Sequence, residues 1–272
     1  MLSVHTNNAS LIAQNSVTKN NDLMTNAMER LSTGLRINSS SDDAAGLQIA
    51  TRLNANVTGM QQASRNVSDA SSMLQTADGA LEELTNIAMR QKELATQGAN
   101  GVNSQSDMKA IADEFNELNA EVTRILDDTE YSGQSLFDAL ESGVDFQIGA
   151  GAGEQLNVSI NAITELADIV AGSGTGAVIS IGSAEIQAVD AFIDAVGEER
   201  STLGANINRL GHTASNLTNV TENTVAAAGR IMDADFAVES ANMTKNQLLV
   251  QAGTTVLSNA NQNTGLVMGL LR

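Results

Sequence analysis

Not one of the 272 residues is a proline, where soluble domains carry about 5%. Proline breaks helix interiors because its ring clashes with the preceding turn and it lacks an N–H. A chain without it has lost the commonest obstacle to very long helices. The apolar spacing uses that freedom. From Leu53 the series Leu53, Met60, Val67, Leu74, Leu81, Ala88 and Ala95 recurs every seven residues. Val57 and Leu84 partly fill a second seam, while Ser64, Ser71 and Asp78 interrupt it. The spacing predicts one helix of ~50 residues, about 75–80 Å long at 1.5 Å per residue.

Two further stripes are as regular. Met108, Ile111, Phe115, Leu118, Val122 and Ile125 alternate steps of three and four. Ile186, Val189, Ile193, Val196, Leu203, Ile207, Leu210, Ala214 and Leu217 form another, broken by Arg200. Long helices with no sheet between them predict a mainly α fold, with antiparallel or coaxial helices packed side by side as a coiled-coil-like rod. Both chain ends carry stripes too: Val4, Leu11, Leu23, Met24, Ala27, Met28 and Leu31 at the start. Phe236, Met243, Val250 and Leu257, then Leu266, Leu270 and Leu271, follow at the end. The two ends are expected to pair as a terminal two-helix coiled coil. Isolated helices gain little from propensity, so these ends are expected to be weakly ordered until the chain assembles.

The middle, about 140–185, reads as the only non-helical region. Val144–Ile148 and Leu156–Ile160 alternate apolar and polar residues around the glycine-rich Gly149–Gln155 stretch, which predicts a small β-hairpin. Residues 172–182 are small and glycine-rich and read as a surface loop or short strand. Ser39 to Asp43 offers hydroxyl and carboxylate groups to cap a helix beginning near Ala44.

Charge separates the regions and excludes several functions. The net charge is −18, unsuited to neutralising phosphates along nucleic acid. One Tyr and no Trp leave no stacking platform for single strands. Residues 107–200 hold 19 acids and 3 bases, so 16 of the net 18 negative charges fall there. The segment 236–272 instead carries only Glu239, Lys245 and Arg272 among many Asn and Gln. Such an uncharged polar surface suits burial in an assembly, because amides can pair where lone charges are costly. With no Cys, disulfides and thiolate metal sites are excluded. No apolar run approaches the length needed to span a membrane.

Catalytic chemistry finds little support. Ala171–Ala177 resembles a loose dinucleotide loop, but Val178-Ile-Ser-Ile181 follows where a helix is required. His5 and His212 have no partner at ligand spacing. Adjacent acids such as Asp42/Asp43, Asp127/Asp128 and Glu198/Glu199 point in different directions on a helix and read as caps or solvated faces. No catalytic, cofactor or metal residues are expected, and the chain does not read as an enzyme.

The block Arg30-Leu-Ser-Thr-Gly-Leu-Arg-Ile-Asn-Ser-Ser-Ser-Asp-Asp-Ala-Ala-Gly-Leu-Gln-Ile-Ala-Thr-Arg-Leu53 closely resembles the N-terminal signature of bacterial flagellins. Val4–Asn7, Ser10–Gln14, Gln75–Leu81, Arg90–Ala95 and Tyr131-Ser-Gly133 resemble further parts of that family. So do Leu203–Leu210, Arg230–Ala237, Gln251-Ala-Gly253, Asn259-Ala-Asn261 and Leu270-Leu-Arg272. Family members often carry large outer domains in the middle, whereas here about 25 residues follow the predicted hairpin, so the chain resembles a short form.

The resemblance implies a structural subunit that self-assembles into the flagellar filament, a helical homopolymer that propels the cell. It implies an inner-tube domain from residues 1–43 and 233–272, and a rod domain over 44–232 with the hairpin near 144–160. Val4, Leu11, Leu23, Leu31, Phe236, Met243, Val250, Leu257 and Leu270 are then the candidates for packing in the filament core. Expected partners are an export chaperone on the C-terminal segment, the flagellar secretion apparatus, and the filament cap and junction proteins. Nucleic acid and membrane are not expected partners. The subunit would leave the cell without a cleaved signal peptide and reside in the extracellular flagellum. Arg90, Leu94 and Glu114 match the family's contact motif for the innate receptor Toll-like receptor 5, while Met89, Gln91 and Lys92 depart from its commonest residues. Ser142, Ser159, Ser173, Thr175, Ser180 and Ser183 are candidates for O-glycosylation, a modification the family carries. Two competing readings are the hook-filament junction protein and a soluble coiled-coil adaptor. The intact Asp42–Leu47 block favours flagellin over the first. The uncharged ends argue against the second, whose partner choice needs charged flanking positions.

Overall fold

The computed structural model describes residues 7–160 and 183–270. The stretch 172–182, the Ala171–Ala177 motif, His5, Val4, Ser173, Thr175 and Ser180 lie outside the described residues. The order is α1 (Asn8–Thr33), α2 (Ala44–Gly98), α3 (Gln105–Asp128), β1 (Glu130–Tyr131), β2 (Gln134–Ser135), α4 (Leu136–Ser142), β3 (Val144–Gln147) and β4 (Gln155–Val158). Helices α5 (Ser183–Met232) and α6 (Phe236–Leu270) complete it. The expected mainly α fold is what forms. The chain divides into two compact units, residues 1–55 with 223–272, and residues 56–222. The divisions fall inside α2 and α5.

The ends of the helices follow from local chemistry. Asn7 caps α1 by accepting from Ser10 N at 3.1 Å. Gly34 closes it at φ +74°, donating its N–H to Arg30 O at 2.9 Å, a left-handed position glycine fills without strain. Asp43 caps α2, accepting from Gly46 N at 2.9 Å. Asp42 accepts from Asn38 N (3.1 Å) and Ser39 N (3.0 Å). These two backbone donors hold its carboxyl below the usual range, with a smaller contribution from the Ser39 hydroxyl. A reciprocal Ser104–Asp107 capping box starts α3.

Unit 2, residues 56–222, is built around α2. Leu74, Leu81, Leu84, Ala88 and Ala95 are fully buried along it. Ile111, Phe115 and Val122 of α3, Leu136, Phe137 and Leu140 of α4, and Phe192, Val196, Leu203 and Leu210 of α5 share the same core. Each large side chain buried there contributes about 1.5–3 kcal/mol. Two interruptions of the apolar stripes meet. Arg200 of α5 pairs with Asp78 of α2 at 2.9 Å and reaches Glu82 at 3.2 Å. Lys92 pairs with Asp190 at 2.5 Å, so α2 and α5 run antiparallel.

The predicted hairpin forms as β3 and β4, antiparallel, with Val144 opposite Val158 and Gln147 opposite Gln155. It rests on α2, where Asn66 Nδ2 donates to Gln147 O at 3.1 Å. The middle is not the only non-helical region, however. A second, minimal hairpin pairs Glu130 with Ser135 and Tyr131 with Gln134. Ser132 (φ 56°) and Gly133 (φ 79°) form its two-residue turn, the doubly left-handed kind that matches strand twist. Tyr131 Oη donates to Asp69 O at 3.2 Å and ties this turn to α2.

Candidate assembly interface

In unit 1, α1 and α6 pair antiparallel. Asn7 Nδ2 donates to Ala260 O at 2.9 Å at one end, and Arg30 Nη1 reaches Glu239 Oε1 at 3.1 Å at the other. The less exposed positions step by three and four on both helices. On α1 they are Ser10, Ala13, Val17, Asn20, Met24, Ala27 and Leu31. On α6 they are Glu239, Met243, Asn246, Val250, Gly253, Leu257 and Ala260. This is a coiled-coil seam, but one in which half the positions are small or amide side chains. The helices approach so closely at Gly253 that a Cβ there would lie 2.6 Å from Val17 Cγ2.

The expected pairing of the ends is therefore present, with a different set of residues in it. Leu31, Met243, Val250 and Leu257 lie in the seam, as their spacing suggested. Leu11 and Leu23 do not; they are exposed, as is Phe236 at the start of α6. The physical reason is spacing: Leu11 and Leu23 are twelve apart, and the seam passes through Ala13, Asn20 and Ala27 instead. Sequence reasoning weighted large apolar residues and so overlooked small and polar ones at the right intervals. Ile12, Val238, Leu248, Leu249 and Val256, which lie off the stripes read from the sequence, are exposed as well. Leu270 is the last residue of α6. The result is a helix pair whose outer faces carry large apolar side chains, 60% exposed at both Phe236 and Leu248.

Where the chain enters and leaves this pair it is fastened to itself. Arg36 N donates to Met232 O (2.6 Å) and Ala234 N to Gly34 O (2.9 Å), around a Leu35–Asp233 antiparallel bridge. Arg36 Nη2 adds a bond to Ile231 O at 2.8 Å. The Arg30–Leu53 and Arg230–Ala237 motifs, far apart in sequence, thus supply the two sides of one junction.

Elsewhere, Arg90 of α2 donates to Glu114 of α3 through Nε (3.1 Å) and Nη2 (2.7 Å), and to Glu93 at 2.9 Å. The carboxylates, Glu114 foremost, raise the Arg90 pKa further above its ordinary value. Leu94 is separated from this surface pair: it is 2% exposed and fills the core, so Arg90 and Glu114 alone of the three offer side chains to solvent. Gln91 is fully buried and donates to Asn119 Oδ1. Ser142 and Ser159 are exposed, and Ser183 is the first residue of α5. His212 is exposed. No group of three metal-ligating side chains occurs among the described residues, and no described helix is long and apolar enough to cross a membrane.

Residues 4–142 match the bacterial flagellin N-terminal helical region, and residues 186–271 the bacterial flagellin C-terminal helical region. A flagellin of Halalkalibacterium halodurans is 42% identical over 248 residues, covering 90% of this chain and 91% of that protein. A flagellin of Listeria monocytogenes is 37% identical over 285 residues, covering 99% of each. The crystal structure of Bacillus cereus flagellin is 30% identical, covers 60% of this chain and 94% of that one, and superposes with a TM-score of 0.48. The Halalkalibacterium and Listeria flagellins, each matched over nine-tenths or more of both chains, favour the filament subunit over the junction and adaptor readings. The chain belongs to the bacterial flagellin family, whose members build the extracellular flagellar filament.

Proposed function

We propose that this filament subunit makes its core contacts through the outer faces of α1 and α6. The inner-tube part would comprise residues 1–43 and 233–272, with 44–232 as the rod. The observation that carries this reading is the combination of exposed Leu11, Ile12, Leu23, Phe236, Leu248 and Val256 with few charges nearby. Each such side chain, exposed in the single chain, gains about 1.5–3 kcal/mol when buried against a neighbour. Val4 and Leu270 extend the same proposal toward the chain ends.

The test is Leu248→Asp, at a position outside the intramolecular seam. The variant should keep the helicity and thermal unfolding of the parent monomer, yet leave no filaments in the pellet after seeding. Filaments of normal yield and length would refute the reading.

Further partners follow from the family relation and the notable chemistry of each region. An export chaperone would cover the apolar face of α6 before assembly, and the secretion apparatus, cap and junction proteins would handle the same helices. Arg90 and Glu114, exposed on the rod, would be the residues of this chain that meet Toll-like receptor 5, with Leu94 supporting them from the core. Ser142 and Ser159, together with Ser173, Thr175, Ser180 and Ser183, remain the proposed acceptors for O-glycosylation, which intact mass measurement tests.

A further inference from the structure

The turn between α2 and α3 holds the chain's one Asn-Gly pair, Asn100–Gly101, and we propose that it is a site of spontaneous covalent modification, converting Asn100 to aspartate and isoaspartate. The main-chain nitrogen of Gly101 loses its proton to hydroxide and attacks Asn100 Cγ. A new N–C bond forms, the Cγ–Nδ2 bond breaks, and ammonia leaves. Water then adds to either carbonyl of the resulting five-membered imide and opens it, giving aspartate from one opening and isoaspartate from the other. No electrons are gained or lost, and water is the sole co-reactant.

Three features of the turn favour the reaction. Gly101 has no Cβ to shield its nitrogen, and nothing lies within 4 Å of where one would be. Both residues are exposed and lie beyond the last residue of α2, so no helical ladder fixes their backbone. Neighbouring amides in the turn are engaged: Asn100 N donates to Gln97 O and Asn103 N to Asn100 O, both at 3.2 Å. The Gly101 N–H has no acceptor among the described residues. Asn100 Oδ1 accepts a long bond from Val102 N, 3.4 Å. That contact turns the side-chain carbonyl toward the main chain that follows it.

The Asn-Ser and Asp-Gly pairs are restrained, Asn15-Ser16 by lying inside α1. After Asn38, the Ser39 N–H is held by Asp42 at 3.0 Å. After Asn103, the Ser104 N–H is held by Asp107 at 3.0 Å. Asp78–Gly79 lies inside α2, with Asp78 bound to Arg200. The fold therefore protects these four positions and leaves Asn100–Gly101 open.

The product alters a defined surface. Asn100 borders a shallow patch with Met89, Lys92, Glu93, Thr96 and Gln97. Conversion adds a carboxylate there, and the isoaspartate form inserts a methylene into the main chain just before the Ser104 cap of α3.

The experiment incubates the purified folded chain at mildly alkaline pH and follows each asparagine by peptide mass spectrometry with fragmentation that distinguishes the two isomers. The mass rise of amide-to-acid conversion should appear at Asn100 before Asn38 or Asn103. It should be lost in Asn100→Gln and slowed in Gly101→Ala. In urea, Asn38 and Asn103 should speed up while Asn100 changes little, since only the first two lose a protecting hydrogen bond. Conversion at Asn38 or Asn103 ahead of Asn100 in the folded chain, or reaction at Asn100 only after unfolding, would overturn the proposal.

Discussion

The Arg200 cluster allows the attachment of α5 to α2 to be measured. Arg200 Nε lies 2.9 Å from Asp78 Oδ1, and its side chain is 32% exposed against 37% for Asp78. A hydrogen bond to a charged group contributes about 1.5–3 kcal/mol when sheltered, and exposed ion pairs contribute roughly 0–1 kcal/mol. Partial exposure places this pair between those limits, at about 1–2 kcal/mol. Arg200→Met keeps an apolar stem in the stripe but leaves Asp78 unpaired beside it. The expected loss is about 1–2 kcal/mol, or ~2–8 °C in Tm for a unit of this size. Asp78→Leu alone should cost about as much, since Arg200 keeps only the more exposed Glu82. Combining them makes both apolar stripes continuous and should return stability to within about 1 kcal/mol of the parent. The assay is urea unfolding of the monomer, followed by circular dichroism across the full double-mutant cycle. Urea is preferred to guanidinium because it does not screen the pair. A coupling energy of zero within about 0.5 kcal/mol would show that the cluster does not hold the helices together.

Three other perturbations test the remaining elements. Gly253→Val should weaken the α1–α6 pair by about 1–3 kcal/mol through overpacking against the stiff Val17, and Val17→Ala in the same chain should restore most of it. The temperature at which filaments dissociate reports both effects, and an unchanged temperature in the single variant would refute the close approach. Leu257→Asp, which places a charge in the seam, should abolish polymerisation while leaving the melting of residues 56–222 unchanged; normal filaments would sink the pairing as an assembly requirement. Asp42, whose folded pKa is depressed, contributes stability that is present above its ordinary unfolded pKa and lost as pH falls through the lower folded value. Acidification below the usual carboxylate range should therefore loosen residues 38–43, seen as faster proteolysis or amide exchange there, and Asp42→Asn should be loose at every pH.

The rod was legible because its helices bury wide stripes of Leu, Ile, Val and Phe, and large side chains at regular intervals dominate any reading by periodicity. Even the breaks carried information: Asp78 and Arg200, each an interruption on its own helix, meet in the fold. The small hairpin at 130–135 was harder. Its strands have two residues each, too few for alternation to register, and its sign was the Ser132-Gly133 turn. The α1–α6 seam was legible only as a pairing. Ala13, Asn20, Ala27, Asn246 and Gly253 define it, and small or amide residues carry almost no hydrophobic signal. Leu94 shows the opposite limit: a motif match located it on the right helix, and only packing revealed that its side chain faces the core.

The composition of that seam bears on how a subunit stays dispersed and still polymerises. Buried apolar area stabilises at about 25 cal/mol per Å², so a seam in which Ser, Ala, Asn and Gly alternate with Val17, Met24, Leu31, Met243, Val250 and Leu257 holds two helices together less tightly than large side chains throughout would. Phe236, Leu248, Ile12 and Leu11 face outward and, in the proposed packing, would be buried by neighbouring subunits. On the proposed core packing, much of the driving force for ordering α1 and α6 would come from assembly and would couple their folding to polymerisation. Charge works with this arrangement. The segment 107–200 holds 16 of the 18 net negative charges, where like-charge repulsion between subunits is screened beyond about 8 Å at physiological salt. On α6 only Glu239 and Lys245 are charged, and Glu239 is neutralised by Arg30 within the chain. Lateral packing of these helices therefore need not strip water from many unpaired charges. Asparagine and glutamine occupy the polar positions instead, and each supplies both a donor and an acceptor, so a neighbouring amide or carbonyl can satisfy them in more than one register.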